Sequence, residues 1–214
     1  MTGHDLFADE RRDSALGEDA WLLGGFARDE AAALFGALRE VIAAAPLRHM
    51  ETPGGRRMSV GMTNCGTVGW VSERAGYRYA ATDPESGRRW PAMPPLFLDL
   101  AARAAAAAGF AGFVPDACLV DRYAPGARLT LHQDRDERGR DAPIVSVSLG
   151  VPAVFLWGGG ARNDRPRRVR LVHGDVVVWG GVARMTFHGI DPVKADDHPL
   201  TGAARYNLTF RKAL

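Results

Sequence analysis

From Ala117 to the C-terminus the chain alternates short apolar runs with turn residues, and this rhythm limits its possible folds more than any other feature. Eight runs read as strands: 117–123, 128–132, 144–149, 153–157, 169–172, 175–179, 185–188 and 205–211. Eight short strands in under a hundred residues predict a double-sheet jelly roll or a related barrel. The expected class is α+β, mainly β.

Upstream the period changes. Asp29 is placed to cap a helix running to about Ala45, with Leu34, Leu38, Val41 and Ile42 at helical spacing and Pro46 beyond its end. A second helix is expected after Pro94 and Pro95, from Leu96 through the alanine run 104–108 to Gly109. Both are amphipathic enough to flank a sheet. Between them, residues 52–91 are rich in Gly, Tyr, Trp and Arg without helical period, and read as hairpins and loops.

At 214 residues the chain fits one domain, and 46% hydrophobic residues supply a sizeable core. No apolar run approaches the roughly 20 residues needed to span a bilayer. Residues 1–13 are polar and acidic, unlike a signal peptide. Two cysteines, Cys65 and Cys118, do not make a disulfide framework; buried packing in a reducing cytoplasm is the expectation. A net charge of +2 does not by itself announce a nucleic-acid binder. The charge is uneven, however: residues 162–170 hold five arginines.

Strand alternation puts Thr130, His132 and Asp134 on one face of the run ending at His132. A histidine and a carboxylate so placed can reach one metal ion. A later run ending at His188 could bring a second imidazole, and two His with one carboxylate form the open triad of non-heme iron(II) oxygenases. A lone His-x-Asp is usually structural, and His173-Gly-Asp175 offers another; between two apolar strands, with Gly in the middle, that one reads as a tight turn.

The run 205–211 alternates cleanly: Arg205, Asn207, Thr209 and Arg211 share one face, and Tyr206, Leu208 and Phe210 the other. An edge strand with a solvated polar face is the ordinary explanation. Two arginines flanking an amide also suit a dicarboxylate, because the guanidinium fork binds carboxylates bidentately.

Several stretches, taken in order, resemble the AlkB family of repair enzymes: Met58-Ser-Val-Gly-Met-Thr-Asn-Cys-Gly66, Pro115-Asp-Ala-Cys118, Arg122-Tyr-Ala-Pro-Gly126, Leu131-His-Gln-Asp134, Ala142-Pro-Ile-Val-Ser-Val-Ser-Leu-Gly150, His173-Gly-Asp-Val-Val-Val-Trp-Gly-Gly181 and Arg205-Tyr-Asn-Leu-Thr-Phe-Arg211. The similarity runs from about residue 6 to residue 211. It implies a single domain over 1–214, with a nucleotide-recognition lid over about 50–91 and a double-stranded β-helix core over about 115–214. It also implies iron(II) held by His132, Asp134 and His188, and 2-oxoglutarate held by Tyr123, Arg205, Asn207 and Arg211. Where the family usually has Asn near the co-substrate this chain has Asp121, whose carboxylate is expected to turn towards an arginine.

On the substrate side the resemblance implies that Trp70 stacks on a damaged base, Tyr77 lies near its phosphate, and Met62 and Thr52 make further contacts. Asp136 could accept hydrogen bonds from the exocyclic amine. Chemistry on a base requires drawing it out of the stack, and aromatic faces receive it. A cationic methylated base would gain a further ~0.5–2 kcal/mol from cation–π attraction. Arg162 is the expected phosphate contact within its arginine group; Arg56 and Arg57 are lesser candidates. The implied activity is oxidative dealkylation of bases such as N1-methyladenine and N3-methylcytosine in DNA or RNA, single- or double-stranded. It would use iron(II), 2-oxoglutarate and O2 and release formaldehyde. A cytoplasmic monomer is expected. The alternatives are a hydroxylase of the same class acting on a protein or small molecule, and a jelly-roll nucleic-acid binder without turnover.

Overall fold

The computed structural model describes residues 11–214. Most of the acidic N-terminal stretch, residues 1–10, lies outside the described residues. The apolar runs fold into two facing sheets. The larger has seven strands: β1 (Ser14–Gly17), β2 (Ala20–Leu23), β3 (Gly61–Gly66), β6 (Ala117–Tyr123), β8 (Ile144–Gly150), β11 (Val176–Trp179) and β13 (Arg205–Arg211), in the spatial order β1-β2-β11-β8-β13-β6-β3. The smaller has four: β7 (Leu129–His132), β9 (Ala153–Trp157), β10 (Arg167–Leu171) and β12 (His188–Ile190), in the order β10-β9-β12-β7. A hairpin of β4 (Gly69–Glu73) and β5 (Gly76–Ala80) stands apart as a third sheet. Seven of the eight expected strands are present; in place of the eighth, expected at 185–188, the strand begins at His188 and runs to Ile190. β1 and β2 were not read from the sequence, and β3, within the stretch read as lid, pairs along the length of β6 at the edge of the larger sheet.

The two faces of the larger sheet have different jobs. One packs against α1 (Ala31–Ala44) and α2 (Pro95–Ala107), burying Leu34, Leu38, Val41, Phe97 and Leu100 against Val145, Val147, Val176, Leu208 and Phe210. The other faces the smaller sheet, where Ile144, Val177 and Trp179 meet Phe155, Trp157, Leu171 and Ile190. Asp29 does not cap α1. Glu30 holds the N-cap position without a side-chain cap bond, because its carboxylate instead accepts Arg103 of α2 at 2.7 Å and ties the helices together. At α2, Pro94 and Pro95 start the helix as expected, where a missing N–H costs nothing. No described helix is long and apolar enough to cross a membrane.

β13 decides the character of the interior. Its neighbours are β8 and β6, so it is a central strand and not an edge. Tyr206 and Leu208 point to the helices, whereas Arg205, Asn207, Thr209 and Arg211 are buried on the face turned to the smaller sheet. Four polar side chains in the heart of a sandwich require partners.

A candidate metal and dicarboxylate site

The two histidines meet through strand register. His132, the last residue of β7, is the cross-strand partner of His188, the first residue of β12. Their rings lie 4.5 Å apart, centroid to centroid. The strand 185–188 expected from the sequence is therefore displaced: residues 185–187 form the approach, and His188 opens β12. Asp134 lies beyond the end of β7, not on its face. It still arrives at the imidazoles, with Oδ1 3.8 Å from His132 Nε2 and Oδ2 3.7 Å from His188 Nε2. The three ligand atoms lie within 4.8 Å of one another.

Each imidazole is turned for coordination by its other nitrogen. His132 Nδ1 lies 2.8 Å from the carbonyl of Thr130, and His188 Nδ1 lies 3.0 Å from that of Thr186. A carbonyl only accepts, so each Nδ1 carries the proton and each Nε2 presents a lone pair, the usual arrangement of a metal-binding histidine. Burial, reinforced by the neighbouring His132, lowers the pKa of His188 to about 4, so the ring is neutral in ordinary buffers. Burial works against the charge of Asp134, but the Arg211 guanidinium beside it outweighs burial and holds the carboxyl well below its usual range. Two imidazoles turned by their Nδ1 bonds and one carboxylate, with open positions, fit iron(II).

A cavity of about 530 Å³ extends from this triad between the sheets. Arg205, only 1% exposed, donates through Nη2 to Ser148 Oγ at 3.1 Å. Asn207 donates to Ser146 Oγ and the carbonyl of Val147, and Thr209 donates to Asn207 Oδ1 at 2.8 Å. Arg211 grips Asp134 Oδ2 through Nη2 at 2.8 Å and Nε at 3.1 Å. Among the described residues, three buried side-chain atoms have no hydrogen-bond partner: Asp121 Oδ1, Arg205 Nε and Trp179 Nε1. All three residues line this cavity. An orphaned buried polar atom costs about 1–3 kcal/mol, so their concentration in one cavity marks the place of a polar ligand. With arginines on the wall and a metal site adjoining, that ligand is an anion able to chelate: the residues fit 2-oxoglutarate.

Asp121 does not pair with an arginine as expected. Among the described residues no ion pair reaches it, and its Oδ1 has no hydrogen-bond partner; Tyr123 lies two residues along β6 on the same face. Burial raises its pKa to about 7, against the pull of Arg211 and Arg205 and with the push of Asp134. An alternating strand places it among arginines without bringing a guanidinium within reach.

The outer wall is aromatic. Trp70 on β4 and Tyr77 on β5 stack at 5.4 Å with planes 16° apart, and Trp70 Nε1 donates to Asp136 Oδ2 at 2.9 Å. Tyr77 thus covers one face of Trp70, a contact the sequence did not suggest. Met62 sits on β3 opposite Asp121, Thr52 Oγ1 accepts the N–H of Arg56, and Arg162 lies in the connection between β9 and β10. All six line the cavity, as do the residues at the metal and on β13. His173 stands elsewhere: its Nδ1 accepts the N–H of Gly150 at 3.0 Å and its ring lies 4.3 Å from that of His198. Gly174 beside it has φ +85°, which a tight turn requires and most other residues avoid.

Reasoning from sequence missed Glu137, Tyr79 and Arg184. Glu137 and Arg184 are buried and ion-paired at 3.0 Å, and Tyr79 donates to Glu137 at 2.6 Å. The one local signal was three acids in four residues, Asp134-Arg-Asp-Glu137.

The profile of the 2OG-Fe(II) oxygenase superfamily matches residues 19–211. The chain is 55% identical over 210 residues to the alpha-ketoglutarate-dependent dioxygenase AlkB of Escherichia coli, covering 98% of this chain and 97% of that protein. It is 31% identical over 125 residues to the mouse nucleic acid dioxygenase ALKBH1, covering 58% of this chain and 32% of that one. The solved structure of OsALKBH1 superposes with a TM-score of 0.82 at 29% identity, over 94% of this chain and all of that one.

Proposed function

This chain belongs to the AlkB family of the 2OG-Fe(II) oxygenase superfamily, and on that premise we propose that it removes alkyl groups from damaged bases in DNA or RNA. It is an iron(II)- and 2-oxoglutarate-dependent dioxygenase. The observation that carries the substrate reading is the stacked pair of Trp70 and Tyr77, which opens onto the same cavity as His132, Asp134 and His188. An aromatic face within reach of a metal triad suits a base drawn out of its stack. The name of the mouse relative, nucleic acid dioxygenase, points the same way.

In this reading His132, Asp134 and His188 hold iron, and Arg205, Asn207, Arg211 and Tyr123 hold 2-oxoglutarate. Bound there, iron(II), 2-oxoglutarate and O2 supply the oxidation that converts an N-alkyl carbon into a hydroxyalkyl group, which departs as an aldehyde. The protein's share is positioning. Arg211 keeps the Asp134 carboxylate ionised and oriented, and the Nδ1–H bonds of both histidines fix their rings. Asp121, with its pKa raised to about 7, can meet the co-substrate as a neutral carboxyl. Asp136, already bonded to the Trp70 indole, is within reach of a base lying on that ring and would accept from its exocyclic amine. Arg162, at the mouth, would meet a flanking phosphate.

The test is an oligonucleotide carrying one N1-methyladenine, incubated with iron(II) and 2-oxoglutarate, with formaldehyde and succinate both measured. Equal yields of the two are expected. Succinate released without formaldehyde from any methylated oligonucleotide would favour a protein or small-molecule substrate instead.

A further inference from the structure

The four residues 134–137 link the paired imidazoles to the β4–β5 hairpin. Asp134 faces the two imidazoles. Glu137, 4% exposed, accepts the hydroxyl of Tyr79 on Oε1 at 2.6 Å and Arg184 Nη2 on Oε2 at 3.0 Å. The same two guanidinium groups that satisfy Glu137 also hold Asp134: Arg184 Nη1 donates to the Asp134 carbonyl at 2.6 Å, and Arg211 bonds the Asp134 carboxylate while its Nε lies 3.3 Å from Glu137 Oε1. Two acids and two arginines make a buried, charge-balanced cluster whose geometry is strict, because a lost partner would leave an uncompensated charge. The only neutral member is Tyr79, and it belongs to the hairpin. In the register of β4 and β5 it lies directly opposite Trp70.

We propose that Glu137 and Tyr79 are positioning residues that fix the distance between the Trp70 platform and Asp134, so that a base on the platform meets the metal in register. This rests on the reading of Trp70 as the base platform. Other ties of the hairpin run elsewhere: Asn64 on β3 bonds the Trp70 backbone, Ser72 donates to the carbonyl of Glu51 and to Met50 Sδ, and Trp90 Nε1 donates to the carbonyl of Ala80. Among the described residues, the Tyr79–Glu137 hydrogen bond is the one that joins the hairpin to the cluster that orients Asp134. Asp136 adds a softer link through the indole N–H, one that a bound base would compete for.

Removing the Tyr79 hydroxyl leaves the Asp134–Arg211 pair intact but frees the platform. In Tyr79→Phe the co-substrate is therefore still oxidised while the alkyl carbon is presented badly. A displacement of about 1 Å costs up to ~100-fold in productive turnover, and we expect formaldehyde per succinate to fall on the order of tenfold. The anaerobic charge-transfer band of the iron(II)–2-oxoglutarate complex should keep its position. Glu137→Gln, which strips a charge from between the two arginines, should lower the ratio and also shift that band, because Asp134 itself is loosened. A hairpin tie of merely structural value would lower Tm or raise the oligonucleotide KM with the ratio intact, and a wild-type ratio in Tyr79→Phe overturns the proposal. If Tyr79→Phe does not fold, Glu137→Gln decides, and an unmoved band with an unmoved ratio overturns it. The band needs no oligonucleotide, so it still decides the link to Asp134 if the wild-type protein releases no formaldehyde, the result that would instead sink the substrate reading.

Discussion

Asp121 shows how a single side chain can set a pH dependence. Its native pKa of about 7, raised chiefly by burial, lies well above the 3.8 of a free carboxyl. A group with a raised native pKa contributes stability that is fully present below its unfolded value and lost as pH climbs through the native one. The metal-free protein should therefore lose stability from Asp121 between about pH 4 and pH 7. Asp121→Asn removes this dependence, so the variant should gain on wild type over that window, by on the order of a few kcal/mol at most. Melting both proteins at pH 5 and pH 8 checks this; a wild type that gains on the variant as pH rises would mean the carboxylate is the native form. The two His-x-Asp motifs separate as cleanly. His132→Ala removes one of three converging ligands and should abolish the charge-transfer band in a folded protein. His173→Ala strands the Gly150 N–H, which costs about 1–2 kcal/mol, and should leave the band intact. Exchanged phenotypes would show that the wrong motif binds the metal. Both motifs look alike in sequence, and only the second's place between two apolar strands, with glycine in its middle, pointed to a turn.

At the level of elements, the β4–β5 hairpin and the β9–β10 connection form the outer rim. Trp70→Ala should weaken binding of a methylated oligonucleotide by roughly 1–3 kcal/mol, the value of a base–aromatic stack. Succinate release without oligonucleotide should persist, since the ligands are untouched; loss of both would make Trp70 a core residue. Arg162→Ala should reduce the slope of log affinity against log salt by about 1, as removal of one phosphate contact does. An unchanged slope would return Arg162 to the solvated loop. Element types were legible because the periods are local: residues 205–211 alternate, and 31–44 repeat every three to four positions. Element ends were less so. Asp29 reads as a cap, yet Glu30 takes the position, because what engages Glu30 is Arg103 on a different helix.

Across the whole molecule, the proposed metal ligands come from the smaller sheet and the segment after β7, while the arginines proposed for the co-substrate come from β13 of the larger sheet. Iron with 2-oxoglutarate would therefore clamp the two sheets together. Under anaerobic conditions the pair should raise Tm, with a stabilisation of about 2.7 kcal/mol when the ligand stands at 100 times its Kd. A chelator should reverse the rise and His132→Ala should not show it; an unchanged Tm would mean that the ligands do not join the sheets.

The sequence by itself determined which side chains share a strand face, that the interior would be β, and which residue types could hold a metal and a dicarboxylate. Those properties follow from periods of two and 3.6 residues and from side-chain chemistry, and both are written locally. Only the tertiary structure decided that β13 lies between β8 and β6, which turns a polar face from solvated to buried and sets Arg205 on the wall of the cavity. It alone brought Tyr79 and Arg184 to Glu137, because long-range pairing depends on how whole sheets stack, and no local period records it.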